Sequence, residues 1–160
     1  MKLEKVLKLG NPVLYQKSSP VQKEELNSLL PVIQDLHDIL FEFRAIHNAG
    51  RAVAAPQIGV MKRLIYMNND GKSSVIINPI LENLSDEMFE VWDDCLCFPN
   101  LLVKVRRHKS CILRFTDENW NEQIWNLSGS LSELIQHEYD HLDGILATQK
   151  TIDSKSFRMK

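Results

Sequence analysis

The chain lacks any long apolar run. Nothing in its 160 residues approaches the roughly 20 consecutive apolar positions that a helix needs to cross a bilayer. That excludes a helical membrane span. Met1-Lys2-Leu3-Glu4-Lys5 is followed by neither a signal-peptide core nor a small-residue cleavage site, so the expected location is the cytoplasm. An excess of one charge is missing too. A formal net charge of -2 makes no electrostatic case for nucleic acid or for an anionic membrane. Cysteine is scarce, with three residues. The odd number argues against a disulfide framework, and Cys95 and Cys97 are too close in sequence for an ordinary bridge. A metal or redox role for one of them suits a reducing compartment. There is no internal repeat and no low-complexity stretch. Hydrophobic residues at 44% and charged residues at 25% are ordinary for a globular protein, and the expectation is a single domain over residues 1–160.

What is present reads as helix, strands, helix. Gly10-Asn11-Pro12 and Ser18-Ser19-Pro20 carry turn chemistry. Leu29, Ile33, Leu36, Leu40 and Phe43 then recur at spacings of three and four, one apolar helical stripe. Ser28 is the expected N-cap, with Pro31 in the first turn and Gly50 free to go left-handed at the end. Short β-type runs follow at 64–67, 75–77, 101–105, 111–115 and 123–127. Gly71, Asn78-Pro79, Pro99-Asn100 and Asp117-Glu118-Asn119 punctuate them. Cys111 reads as core. The run Arg106-Arg107-His108-Lys109 reads as a solvated strand edge or turn. Ser130-Leu131-Ser132-Glu133 has the form of a capping box, opening a helix that Gly144 ends. The order implies an α+β domain of mixed or antiparallel strands around a C-terminal helix.

That last helix carries His137-Glu138-Tyr139-Asp140-His141. Histidines four apart share one helix face, so both imidazoles can reach one metal ion, and Glu138 between them can be aimed at a water. This is equipment for metal-assisted hydrolysis. A catalytic metal usually has three protein ligands. No glutamate follows Glu138, and Ala147 stands where the extended protease pattern needs its third histidine. A third ligand therefore has to come from upstream, where Cys95 is the best candidate. A Cys-His-His set takes iron(II), zinc, nickel or cobalt. Cys97, two residues on, is expected to face away from the metal and reads as a small buried residue. Asp140 reads as a structural or imidazole-orienting carboxylate.

Three blocks together resemble the peptide deformylases. Gly50-Arg51-Ala52-Val53-Ala54-Ala55-Pro56-Gln57 is similar to that family's G-x-G-x-A-A-x-Q. Asp93-Asp94-Cys95-Leu96-Cys97 stands in the place of its E-G-C-x-S, and the third block matches its H-E-x-D-H in full. The resemblance covers roughly residues 6–148. It implies removal of the formyl group from N-formylmethionyl nascent peptides. It further implies Cys95, His137 and His141 as ligands, Glu138 as proton carrier, and the Gln57 amide and Leu96 N–H as oxyanion donors. Iron(II) is the metal it suggests, and formylated nascent chains, at the ribosome, are the partners.

The departures lie on the substrate side, where the resemblance sets Gly50, Arg51, Ala52 and Asp94. The family's second glycine is Ala52, its Glu-Gly is Asp93-Asp94 and its serine is Cys97. Ala52 and Asp94 put side chains beside the track of an extended peptide. Two other readings stand beside deformylation: a metal-dependent amidase or peptidase with another substrate, and a non-catalytic metal- or peptide-binding protein. A fourth protein ligand at Cys97 would favour a structural metal site.

Overall fold

The computed structural model describes residues 1–160. Helix α1 (Leu26–His47) is followed by strands β1 (Ala52–Ala54), β2 (Leu64–Asn69), β3 (Lys72–Glu82), β4 (Met88–Asp93), β5 (Leu101–His108), β6 (Ser110–Thr116) and β7 (Glu122–Ser128). Helix α2 (Ser130–Leu142) and strand β8 (Phe157–Met159) complete the chain. Five strands form one sheet in the order β1-β2-β3-β6-β7, and three form another in the order β4-β5-β8. Every pairing is antiparallel. Helix α2 lies against β1, β5 and β7, and α1 against β1 and β2.

Alternation along the strands divides the core. Val53, Leu64, Tyr66, Val75 and Ile77 join the α1 residues Leu36, Ile39, Leu40 and Phe43 in one cluster. Their neighbours Ala52, Ala54, Ile65, Met67 and Ile76 join Leu134, Ile135 and Leu142 of α2 in another. The period of two sends successive side chains to opposite faces, so this part of the sheet is covered on both. That is why β2 reads as an unbroken apolar run rather than an alternating one.

Several local expectations are corrected. Helix α1 starts at Leu26, and the Ser28 hydroxyl donates back to the Glu25 carbonyl instead of capping. Pro31 therefore falls beyond the first turn, where its missing N–H leaves the Asn27 carbonyl without the usual partner. The left-handed stop is Asn48, at φ 50°, whose N–H bonds to the Arg44 carbonyl. Gly50 is left-handed as well, at φ +107°, and a Cβ there would sit 3.0 Å from the Phe43 ring. Asn78-Pro79 lies inside β3, at a register shift against β6, rather than ending the strand. The Asn78 amide binds both the N–H and the carbonyl of Val21 and so ties down the loop before α1. The capping box does not form either. Gly129 is the N-cap, Ser130 is already inside the helix, and Glu133 takes an ion pair with Arg51. Tertiary partners outcompeted the local ones.

Candidate active site

Helix α2 buries His137, Glu138 and His141 to 6%, 3% and 1% exposure. Cys95 is brought to them by a turn after β4, closed by the Phe98 N–H on the Cys95 carbonyl at 3.1 Å. Its Sγ lies 3.3 Å from His141 Nε2. One ligand atom from each of Cys95, His137 and His141 falls within 4.8 Å of the others. The three predicted ligands, 46 residues apart at the extremes, are thus assembled. Cys97 lies outside this group, which removes the observation that a four-ligand structural site required. It does not point away, however. The segment turns rather than extends, and the Gln57 Nε2 lies 3.4 Å from both the Cys95 and the Cys97 sulfur.

A buried charge chain supports the ligands. His137 Nδ1 lies 3.0 Å from Asp93 Oδ2, leaving Nε2 for the metal. Asp93 Oδ2 also accepts from Arg107 at 2.7 Å, and the other end of the guanidinium donates to Asp140 at 2.6 Å. Asp140 meets Lys150 at 3.0 Å on its outer side. The carboxylate on the imidazole is therefore Asp93, and Asp140 anchors Arg107. Arg107, expected on a solvated edge, is 2% exposed. Strand alternation would have found it, because it shares its face with Val103 and Val105. Asp93 and Arg107 are the functional residues that motif reading passed over.

The titratable groups fit a cation. Burial alone would lower His137, but the charge and hydrogen bond of Asp93 outweigh it and raise the group to about 9. Burial holds His141 well below its ordinary range, keeping the neutral imidazole that metals bind. Burial also pushes the Cys95 thiol up, so a thiolate there calls for a compensating positive charge. Burial raises Glu138 to about 7, and its Oε2 has no hydrogen-bond partner. A deeply buried carboxylate oxygen without a partner, beside a soft–borderline donor set, suits a divalent metal and a group to be deprotonated.

A pocket of about 120 Å³ opens onto these groups. Gly50, Arg51, Ala52, Asp94, Cys95, Leu96, His137 and Glu138 line it. Gln57 and His141 are buried and do not. The Gln57 side-chain Oε1 accepts from the Ala54 N–H at 2.8 Å, which fixes its amide toward the thiols. The Leu96 N–H makes no bond to backbone. Asp94 is paired with Lys160 at 2.9 Å, so its charge does not stand alone. Phe43, Trp92, Asp93, Glu133 and Leu134 complete the wall.

Fold and site together present a buried Cys-His-His donor group with a glutamate beside it, the equipment of a metal-dependent hydrolase. The comparisons narrow this class. The chain belongs to the polypeptide deformylase family, whose sequence model matches residues 3–157. It is 33% identical over 168 residues to peptide deformylase 1 of Prochlorococcus marinus, covering 98% of this chain and 85% of that protein. It is 36% identical over 149 residues to a peptide deformylase of Fusobacterium nucleatum, covering 91% and 82%. The crystal structure of a Synechococcus elongatus deformylase in complex with actinonin superposes with a TM-score of 0.85 at 28% identity, over 93% of this chain and 79% of that one. The Thermotoga maritima enzyme superposes at 0.83 and 26%, over 92% and 97%. Deformylation is thereby favoured over another amidase activity and over a pure binder.

Proposed function

We propose that this site hydrolyses the formyl group from N-formylmethionyl peptides, with Cys95, His137 and His141 holding one divalent metal and Glu138 moving the proton. The observation that carries the roles is Glu138 Oε2, buried, unpartnered and one residue from a ligand. Once bound, the metal supplies Lewis-acid chemistry and acidifies water. Glu138, raised to about 7 by burial, accepts the proton from water near neutrality and returns it to the departing amine. The Leu96 N–H and the Gln57 amide receive the negative charge that develops on the formyl oxygen. Asp93 orients His137, and Arg107 holds Asp93.

The peptide enters between two sheet edges. β1 ends the five-stranded sheet and β4 ends the three-stranded one. The pocket lies between Gly50–Ala52 and Trp92–Leu96 at those edges. Main-chain pairing there would extend a sheet by one strand and present the formyl end to Glu138. Iron(II) is the metal we assign in the cell, with zinc, nickel and cobalt as substitutes for the same donors. The substrate is met on nascent chains at the ribosome, in the cytoplasm, by a single-domain enzyme. No helix is long and apolar enough to cross a membrane.

Formate and amine release separate this reading from a peptidase. Metal-loaded protein should release formate from formyl-Met-Ala-Ser and no amino acid from Met-Ala-Ser. Cleavage of the unformylated peptide without formate from the other would overturn it.

A further inference from the structure

An ion pair forms part of the pocket wall. Arg51 donates to Glu133 Oε1 at 2.6 Å, and both residues line the pocket that Cys95, His137 and Glu138 also line. Arg51 leads into β1 from the left-handed Gly50, and Glu133 lies in the first turn of α2, one helical turn before His137. The pair therefore bridges the strand edge and the metal-bearing helix. Its side chains are 35% and 14% exposed. Neither residue has a part in holding the metal or moving the proton.

The inference rests on the deformylase reading. A formyl carbon placed beside Cys95, His137 and Glu138 leaves the side chain of the formylated residue to occupy the rest of that small pocket, toward Arg51 and Glu133. An unbranched apolar side chain there would desolvate the ion pair and return no hydrogen bond. A side chain of the same length that ends in an amide brings an acceptor for guanidinium N–H groups and donors for a carboxylate. Arg51 has capacity for this. One nitrogen serves Glu133, and a second makes only a 3.4 Å contact with the Ser130 carbonyl.

We propose that the Arg51–Glu133 pair is a specificity determinant, extending the pocket's acceptance from methionine to side chains of similar length with a hydrogen-bonding end. Glutamine is the natural probe because its side chain has methionine's length and a polar tip. The readout is the ratio of kcat/KM for formyl-Gln-Ala-Ser to that for formyl-Met-Ala-Ser, with nickel-loaded protein. Metal content and thermal unfolding of each variant are measured in parallel. The ratio should fall about tenfold or more in Arg51→Met/Glu133→Leu and stay within about twofold of wild type in Arg51→Lys. Should the double variant fail to fold, Arg51→Met alone, at the more exposed position, is read in the same way. A ratio unchanged by removal of the pair, with both peptides deformylated, overturns the proposal and leaves the deformylase reading intact. Formate from neither peptide in the wild type removes that reading, and the proposal with it.

Discussion

At the scale of single residues, the centre depends on what stands behind it. Asp93 and Asp140 are buried carboxylates that share one guanidinium, Arg107. Each carboxylate loses solvation that only its partners return, and removing Arg107 would leave Asp93 with His137 alone and Asp140 with Lys150 alone, at a typical cost of about 3–5 kcal/mol. Asp93 also accepts from His137. Asp93→Asn keeps the shape but weakens the ionic contact to the imidazole. Metal affinity should drop about 10- to 100-fold, which competition with a chelator measures, and unchanged affinity would remove Asp93 from this role. On the substrate side, Ala52 and Asp94 stand where the family pattern has glycine. Ala52 packs into the α2-side core and also lines the pocket, while Asp94 carries the ion pair to Lys160. Ala52→Gly/Asp94→Gly should raise kcat/KM for a formyl-Met tripeptide, since both changes clear the peptide track. No change would show that these side chains do not restrict it.

At the scale of elements, the N-terminal segment is a strap over α1. Lys2 reaches Asp35 and Asp38, Lys5 reaches Asp35, and the N–H groups of Lys2 and Leu3 bond to the Glu42 carboxylate. The Lys5 and Lys2 hydrogen bonds hold Asp35 below its ordinary value of 3.8, and Lys2 and Gln34 do the same for Asp38. A depressed carboxyl stabilises the docked strap at pH above 3.8, and the contribution is lost as pH falls through the lower folded value. Hydrogen exchange at Lys2 and Leu3 should therefore quicken below about pH 4 before the core strands lose protection. Exchange that rises only with global unfolding would contradict the strap. Elements also show what could be read beforehand. The α1 stripe and strands β2, β3, β5, β6 and β7 were visible because burial imposes their periods. Strands β1 and β8 span only three residues each, too few for a period to show. β4 alternates half-buried with exposed positions and buries only its last residue, Asp93. The α2 capping box failed because the helix starts one residue early, with Gly129 as its N-cap, and Glu133 has a better partner in Arg51, which no local pattern contains.

At the scale of the whole molecule, the site is a junction of three pieces. One sheet edge supplies Gly50 to Ala52, the turn after the other supplies Cys95 and Leu96, and α2 supplies His137, Glu138 and His141. The donors themselves were legible because metal chemistry restricts residue type and helix geometry restricts spacing. Arg107 was not, since four basic or imidazole residues in a row look solvated until β5 is given its register. Cys97 was misplaced because residues two apart share a face even when a segment is extended, and the turn that brings both sulfurs to Gln57 depends on contacts beyond 94–97.

In the proposed function Cys95, His137 and His141 hold a metal for a deformylation whose proton passes through Glu138. Formate release from formyl-Met-Ala-Ser, by wild type and by Glu138→Gln at equal measured metal content, tests it most directly. Formate from the wild type and a loss of about 10²- to 10⁴-fold in the variant are expected, with metal still bound. Equal rates from the two proteins would contradict it.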